Sequence, residues 1–273
     1  MSVASIYRWH DGALQAFEHC DMTLTAVEAV DSWLVSDGST LALDLHRTRF
    51  MTSIPRHLCT QTDPGAFWDA AIATIPRDGD WFPRVEVHSL LGGPRLLFRL
   101  RSAPERARSA VLATHTGIDP RTVPGVKGPD LDRLLVARTT VQQQGADDAV
   151  ILSPDGYVVD GATSALLWWR GEILCSPPAD LDRVESVTAR SVLTLARALG
   201  FDTLEEAVTP PELDGVELWA VNALHGIRIV TSWTDGPALA ERPGRLATWR
   251  ARLDALRWAL PEVRPESVGR LGR

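Results

Sequence analysis

The sequence of 273 residues has few cysteines, no long apolar run and almost no lysine. Its three cysteines are scattered and form no CxxC pair, which argues against a disulfide framework and is typical of reduced thiols. No apolar run approaches the length that spans a bilayer. The first residues also lack the basic segment followed by an apolar one that marks a secretory signal. We therefore expect a cytoplasmic protein without a membrane partner.

A surplus of positive charge and metal-ligand motifs are missing as well. The net charge of −7 argues against a nucleic-acid partner, because a general nucleic-acid binder carries a basic face. The seven histidines show no HExxH or comparable spacing, so we expect no metal site. The hydrophobic fraction of 45% and the charged fraction of 23% are those of an ordinary globular protein. The length suits two modest domains.

The near absence of lysine makes the one exception informative. Of the 28 basic residues, 27 are arginine, and Lys127 is the single lysine. Arginine cannot replace lysine in imine chemistry, because a guanidinium stays protonated whereas an amine can lose its proton and attack a carbonyl. Composition alone leaves two interpretations open, a chance surviving surface lysine or a lysine that the chemistry requires.

Turn and capping signals predict mostly antiparallel strands and one or two helices in the first part. Asp37-Gly38 marks a tight turn, and Asp63 is expected to cap a helix over Ala66–Thr74. Two hairpins are predicted, and their strands are Val30–Val35 with Thr40–Leu45 and Val85–Leu90 with Leu96–Leu100.

The second part alternates helices and strands. Three helices are predicted, Pro129–Gln144, Thr188–Leu199 with Thr188 as its N-cap, and Arg245–Leu260. A polar and charged segment lies between the two parts. We expect a small N-terminal domain over residues 1–110, an interdomain segment over 111–124 and a C-terminal domain over 125–273.

Several ordered motifs resemble the class IV aminotransferases, also called fold-type IV enzymes of pyridoxal 5′-phosphate (PLP). They are, in chain order, Val126-Lys127, Gly156–Ala165, Ser186–Leu193 and Asn222–Leu224. The second is similar to the family pattern G-x-V-x-E-x-x-x-x-N, and the third to G-[IV]-T-R-x-x-[VI]-[LI]. A weaker similarity, to H-L-x-R-L, lies at Leu45–Phe50.

The resemblance implies a fold class, a cofactor and partners. The fold would be α+β with two domains, a small N-terminal α/β sandwich and a larger C-terminal pseudo-barrel, similar to D-amino-acid aminotransferase. The cofactor would be PLP, and the substrate a small amino-acid-like molecule. The family's homodimers, with an active site between the domains, imply a second copy of this chain as partner.

The resemblance also assigns the central roles of the site. Lys127 matches the Schiff-base lysine, which also moves the α-proton of the substrate. Asp160, 33 residues further on, takes the place of the family glutamate that keeps the pyridine nitrogen protonated. Aspartate can do this but is one methylene shorter. The chain departs from the family at Ala165, where relatives have asparagine, and at Ser186, where they have glycine.

Five residues match the family's phosphate-binding positions. Val187 and Thr188 lie at a helix start, where free N–H groups favour an anion. Asn222 and Ala223 belong to the loop beside the phosphate, and Arg49 matches the phosphate-binding arginine.

Two further residues are expected to contact the substrate. Asp31 and Ser32 stand at the positions of the family's E-[TS] pair, and Ser32 is the one expected to contact the substrate. Arg95 follows a glycine-rich turn where relatives have a loop that faces the substrate, so it is expected to bind a carboxylate.

The resemblance leaves the reaction open, since PLP activates the same Cα–H bond in transamination and in elimination. Asn222–Leu224 and Leu166–Gly171 look similar to 4-amino-4-deoxychorismate lyases, which release pyruvate and form the folate precursor 4-aminobenzoate. This lyase activity is the first expectation, and an aminotransferase of branched-chain or D-amino-acid type is the alternative. A third interpretation is a catalytically silent homologue, which the departures at Ala165 and Ser186 motivate.

Overall fold

The computed structural model describes residues 5–17, 26–59, 62–89 and 93–262. The elements of the first part are β1 (Ser5–His10), β2 (Ala13–Ala16), β3 (Ala26–Ser32), β4 (Val35–Ser36), β5 (Ser39–Leu41), α1 (Leu43–Ser53), α2 (Arg56–Cys59), α3 (Pro64–Thr74), β6 (Asp80–Trp81), β7 (Arg84–Ser89) and β8 (Arg95–Leu100). Those of the second part are β9 (Ser109–Thr114), α4 (Leu131–Gln142), β10 (Asp148–Leu152), β11 (Val158–Gly161), β12 (Ala165–Arg170), β13 (Ile173–Ser176), α5 (Val187–Ala198), β14 (Thr203–Glu205), β15 (Glu217–Asn222), β16 (Gly226–Thr234), α6 (Arg245–Asp254) and β17 (Arg257–Ala259). A 3-10 helix covers Pro210–Leu213.

An antiparallel sheet of five strands, in the order β2-β1-β8-β7-β3, forms the first layer of the N-terminal part. Strands β7 and β8 alternate, so that Val85, Val87, Leu96 and Phe98 lie on one face and are buried. This face packs on helices α1 and α3, whose Phe50 and Phe67 belong to the same core. The opposite face carries polar residues and is turned toward the second part of the chain.

A mixed sheet of eight strands, in the order β11-β10-β9-β16-β15-β12-β13-β14, forms the second part. Strand β9 runs parallel to both of its neighbours, and the remaining pairs are antiparallel except β13 with β14. Helix α5 packs on β12 and β15, and α6 packs on β16. Together with the helix-covered N-terminal sheet, this architecture confirms the expected α+β fold of the fold-type IV enzymes.

No helix within the described ranges is both long and apolar enough to cross a membrane.

The C-terminal end of the described chain returns to the N-terminal part. Strand β17 pairs antiparallel with β5, which extends the small sheet of β4, β5 and β6. Strand β9 begins at Ser109 and belongs to the eight-stranded sheet, although residue 110 was expected to end the first domain. The division at residues 110 and 125 stays a prediction.

Several local predictions are confirmed. The Asp37-Gly38 turn joins β4 to β5. Asp63 caps α3, because its side chain accepts a hydrogen bond of 2.9 Å from the amide of Ala66. The hairpin of β7 and β8 lies where the sequence predicted it, although residues 90–92 of its turn lie outside the described residues.

Other predicted bounds are wrong. The strand Thr40–Leu45 ends at Leu41, because Ala42 adopts a left-handed backbone (φ 48°) that starts α1 instead. The helix Arg245–Leu260 ends at Asp254, and Arg257–Ala259 is a strand. Hydrophobic spacing could not reveal that strand, because its partner β5 is more than 200 residues away in sequence.

A close backbone contact fixes the loop of Lys127 to the N-terminal sheet. The amide of Val30 on β3 donates a hydrogen bond of 2.7 Å to the carbonyl of Lys127. A Cβ atom added at Gly128 would lie 2.8 Å from the Cα of Ala29, which is closer than such atoms approach. Gly128 therefore allows the loop to lie directly on β3.

Gly128→Ala tests this contact. The added methyl group meets backbone that cannot move away locally, so we expect the free energy of unfolding to fall by about 1–3 kcal/mol. Chemical denaturation with a fluorescence readout measures the change. Gly125→Ala is the matched control, since nothing lies within 4 Å of a Cβ at that position. Equal midpoints for both variants and the parent would contradict the account.

Candidate active site

A cavity of about 490 Å³ is lined by residues of both large sheets and of the loops between them. The structure brings eight predicted site residues to this cavity, namely Ser32, Arg49, Lys127, Asp160, Val187, Thr188, Asn222 and Ala223. These positions span 192 residues of sequence, from Ser32 to Ala223. The cavity is therefore the candidate active site.

Arg95 is the predicted site residue that the structure places elsewhere. It lies on β8, and its guanidinium is 5.2 Å from the ring centroid of Phe17. Strand β8 presents Arg95 at the end remote from the cavity, so Arg95 is not among the lining residues. Nothing in this geometry supports the expected contact with a substrate carboxylate.

Lys127 is half-buried in the wall of the cavity. Burial lowers the pKa of its amine to about 8, and the positive charges of Arg49 and Arg84 act in the same direction. The carboxylates of Asp31 and Asp160 oppose the shift without cancelling it. A far larger share of this amine is therefore neutral near pH 7 than for an ordinary lysine, as a nucleophile requires.

Asp160 on β11 is the acidic group of the cavity. Burial raises the pKa of its carboxyl to about 7, against the attraction of Arg121 and Arg183. Its Oδ1 atom is buried and has no hydrogen-bond partner within the described part of the chain. A buried acceptor that the protein leaves unpaired costs free energy unless a ligand supplies the donor. The N–H of a protonated pyridine is a donor of that kind, so Asp160 fits the ring of PLP.

A buried carboxylate shapes the turn that follows Asp160. Asp148 is fully buried and accepts hydrogen bonds from the amide and hydroxyl of Thr163 and from the hydroxyl of Ser164. A Cβ at Gly161 would lie 2.8 Å from the carbonyl oxygen of Ser164, so the turn needs glycine there. The turn holds the end of β11, and hence Asp160, against the cavity.

The start of α5 forms one end of the cavity. Ser186 is the N-cap, because its side chain accepts a hydrogen bond of 3.2 Å from the amide of Ala189. The prediction that Thr188 caps this helix is wrong, since Thr188 lies inside the first turn and is buried. The N–H groups of Val187 and Thr188 thus begin a helix whose dipole favours an anion. This end fits the phosphate of PLP.

The loop between β15 and β16 lies beside the start of α5. The side-chain oxygen of Asn222 accepts hydrogen bonds from the amides of Leu224 (3.2 Å) and His225 (2.8 Å). Its side-chain nitrogen donates to the carbonyl of Thr163 across 3.2 Å. The side chain of Asn222 therefore holds the loop in shape, which leaves Ala223 at the cavity surface.

Arg49 reaches the same end of the cavity from α1. Its Nε and Nη2 atoms donate to the two oxygens of Asp31 at 2.7 and 2.9 Å, and Nη1 donates to the carbonyl of Glu185. His46 Nδ1 lies 2.7 Å from the same carboxylate. Burial by itself would raise the pKa of Asp31, but His46 and Arg49 lower it to about 2. Arg49 is thus held by an ionised carboxylate with its charge next to α5.

Sequence reasoning missed several charged residues of the site. Asp31 stands at a motif position and His46 lies within the segment Leu45–Phe50, but the contacts by which they hold Arg49 form only in the folded chain. Arg84, Arg101 and Arg121 line the cavity, yet each was one among 27 arginines. A single arginine carries no information in such a composition. Among the described residues, no group of three or more His, Cys, Asp or Glu side chains is arranged to hold a metal ion.

The raised pKa of Asp160 makes a prediction about stability. Its carboxyl ionises near pH 4 in the unfolded chain but only near pH 7 in the folded one. Asp160 therefore destabilises the chain increasingly from about pH 4 to about pH 7, and fully above that. We expect cofactor-free Asp160→Asn to equal the parent at pH 4 and to exceed its stability by on the order of 1–3 kcal/mol at pH 8.

Denaturation of both proteins across this pH range measures the effect. Asp155→Asn, at an exposed turn position, is the control for loss of one negative charge. A variant that is less stable than the parent at pH 8, or a difference that does not change with pH, would contradict the account.

Comparison with known proteins gives similar folds. A hypothetical aminotransferase from Mycobacterium tuberculosis, solved with α-ketoglutarate and PMP bound, aligns with a TM-score of 0.77 at 19% identity, over 94% of this chain and 99% of that one. A branched-chain aminotransferase from Thermoproteus uzoniensis, solved with norvaline, aligns with a TM-score of 0.77 at 19% identity. The alignment covers 92% of this chain and 96% of that one. At this identity the likeness concerns the fold alone.

A curated relative and a family match complete the comparison. A protein of Methanocaldococcus jannaschii, whose name gives branched-chain-amino-acid aminotransferase as an unproven activity, is 27% identical over 90 residues. That segment spans 33% of this chain and only 31% of the relative's length. The family described as amino-transferase class IV matches residues 28–233, which is more than half of the chain. The chain therefore belongs to the class IV aminotransferase family, as its motifs predicted.

Proposed function

We propose that this chain is a PLP-dependent aminotransferase that exchanges the amino group of an amino acid with a 2-oxo acid. The observation that carries the proposal is the shared cavity of Lys127, an amine of lowered pKa, and Asp160, a buried carboxylate with an unpaired oxygen. Membership of the class IV family supports an enzyme of this type.

Bound PLP supplies the electron sink that stabilises negative charge at the substrate Cα. Lys127 would hold the cofactor, and its Nζ would accept and return the α-proton of the substrate. Because its pKa is about 8, it can both accept and return a proton near neutral pH. Asp160, as a carboxylate, would favour the protonated form of the ring nitrogen.

The opposite end of the cavity would hold the cofactor phosphate. The amides at the start of α5 and the hydroxyl of Thr188 are the donors that would bind it, and Ala223 of the neighbouring loop also lines the cavity. Arg49 adds a positive charge that Asp31 keeps in place. The phosphate-binding groups and Asp160 would together position the cofactor for Lys127.

We also propose that a second copy of this chain covers the mouth of the cavity. Val123 and Leu135 line the cavity and are more than a third exposed. Ile118 and Val136, which neighbour them in sequence, are 91% and 66% exposed. Exposed apolar side chains beside a site favour a protein partner, and the family's homodimers make a second copy the natural one.

A second candidate function is 4-amino-4-deoxychorismate lyase. The segment Asn222–Leu224, which is similar to that of these lyases, lies beside the proposed phosphate end. The observed contacts of Asn222 all stay within the loop and its neighbouring turn. The segment therefore has a structural role that serves either reaction, and this ranks the lyase second.

Lys127 provides the test of the cofactor. The parent protein mixed with PLP should turn yellow through covalent attachment, whereas Lys127→Ala should stay colourless after dialysis. Lys127→Arg is the matched control, because it keeps the positive charge but cannot form the bond. Visible absorption spectra record the result. Equal colour in the parent and both variants would contradict the role of Lys127.

The reaction itself is tested with two substrate sets. An aminotransferase converts an amino acid only when a 2-oxo acid is supplied, and we expect this dependence. A lyase would instead form 4-aminobenzoate and pyruvate from aminodeoxychorismate when no oxo acid is present. Chromatography of the products distinguishes the two, and acceptor-independent release of pyruvate would reverse their ranking.

A further inference from the structure

A buried arginine lies behind the turn that follows Asp160. Arg228 on β16 is only 3% exposed and is not among the residues that line the cavity. Its Nη2 atom donates a hydrogen bond of 3.0 Å to the hydroxyl of Ser164. The buried Nε atom of Arg228 has no hydrogen-bond partner within the described part of the chain. Because burial of a guanidinium with so few partners costs free energy, a nearby negative charge has to offset part of that cost.

Asp148 on β10 supplies this negative charge from the other side of Ser164. Its carboxyl is fully buried, and both of its oxygens accept hydrogen bonds, as suits an ionised carboxylate. The Ser164 hydroxyl accepts from Arg228 and donates to Asp148, so one oxygen atom joins the two charges. The two buried charges therefore compensate each other through Ser164 without direct contact.

The surrounding charges leave Asp148 as the counter-charge of Arg228. Burial lowers the pKa of Arg228, while Asp148 and then Asp147 raise it and Arg138 lowers it. Asp147 and Arg138 have opposite signs, so their effects on Arg228 oppose each other. Burial raises the pKa of Asp148, against the hydrogen bonds of Ser164 and Thr163 and the charge of Arg228.

Ser164 connects this pair of charges to Asp160. Its carbonyl accepts a hydrogen bond of 2.7 Å from the amide of Gly161, the residue that directly follows Asp160. The backbone of Ser164 thus closes the turn, and its side chain anchors the turn to Asp148 and Arg228. Within the described residues no side chain donates a hydrogen bond to Asp160, and its Oδ1 atom is unpaired. The direction of this carboxyl therefore depends on the turn.

Loss of the Arg228 charge would leave the carboxylate of Asp148 buried without compensation. Removal of one partner from a buried pair is costly, because the other charge stays in the interior. Asp148 would then take up a proton, and the protonated oxygen could no longer accept the hydrogen bonds of Thr163 and Ser164 in full. The turn would loosen, and Asp160 would lose its fixed direction.

We propose that Arg228 is a positioning residue for Asp160, because through Ser164 and Asp148 it fixes the turn on which the fit of Asp160 to the ring nitrogen of PLP depends. This inference rests on the proposed function, which takes Asp160 as the partner of that nitrogen. Arg228 lies outside the cavity lining, so its effect should be confined to the ring nitrogen and should leave the phosphate end unchanged.

An analogue of the cofactor measures the contact at the ring nitrogen. Deazapyridoxal 5′-phosphate has a C–H group in place of that nitrogen and keeps the aldehyde and the phosphate. We expect the cofactor-free parent to bind PLP about tenfold more tightly than this analogue, because a hydrogen bond to a charged group is lost. Arg228→Met should bring the two affinities within about threefold of each other. Fluorescence titration measures both dissociation constants.

Three further variants make the result specific. Arg228→Lys keeps the charge and a donor, so it should restore the preference for PLP. Arg170→Met removes an arginine of the same sheet that lies outside the cavity lining, and it should keep the full preference. Ser164→Ala removes the bridging hydroxyl with little change in volume and should lose the preference. It carries the test if Arg228→Met does not fold.

The inference is overturned if Arg228→Met or Ser164→Ala keeps the preference of the parent, or if Arg228→Lys does not restore it. Equal loss in Arg170→Met would overturn it too. A parent that binds both compounds equally would also overturn it, while an adduct at Lys127 would leave the proposed function intact. The proposed function fails separately, and the inference with it, if the parent forms no adduct at Lys127 with either compound.

Discussion

The short backbone contact between the loop of Lys127 and strand β3 is the constraint on which the rest of the site depends. The amide of Val30 donates to the carbonyl of Lys127, and Gly128 lies against Ala29 with no room for a side chain. This contact joins a loop of the second part of the chain to the N-terminal sheet. It places the amine of Lys127 in the cavity that Arg84 and Arg101 line from the N-terminal sheet and Asp160 lines from β11.

The charged groups of the site fall into two sets. Some are paired with charged side chains of the protein, and others are left to face a ligand. Asp31 and Glu86 are saturated by arginine and histidine donors, and their pKa values lie near 2. Lys127 and Asp160 are not saturated, and burial shifts both toward their neutral forms. Burial of these two groups thus costs the protein stability, and Oδ1 of Asp160 has no hydrogen-bond partner within the described residues. A ligand that pairs with them recovers this free energy on binding.

Part of this account could be read from the sequence, and the reasons for the failures are physical. Asp63 as a cap was predictable, because capping depends on local spacing. The resemblance to the class IV aminotransferases implied one site for Lys127 and Asp160, which local spacing alone does not indicate. The sequence predicts Thr188 as the cap, whereas the structure has Ser186 in that role; both carry a hydroxyl that suits an N-cap, so residue type does not decide between two positions this close together. Arg49 on α1 contacts Asp31 on β3 only in the folded chain. The same holds for the approach of Arg84 and Arg101 to one cavity. In a sequence with 27 arginines, no single one of them stands out.

The central claim is that Lys127 binds PLP covalently within this cavity, and borohydride reduction tests it most directly. Reduction makes the bond between an amine and the aldehyde of PLP permanent, and peptide mass spectrometry then locates it. The account predicts one phosphopyridoxyl group per chain, on the peptide that contains Lys127. Modification of the N-terminal amine instead, or no modification at a saturating PLP concentration, would contradict it.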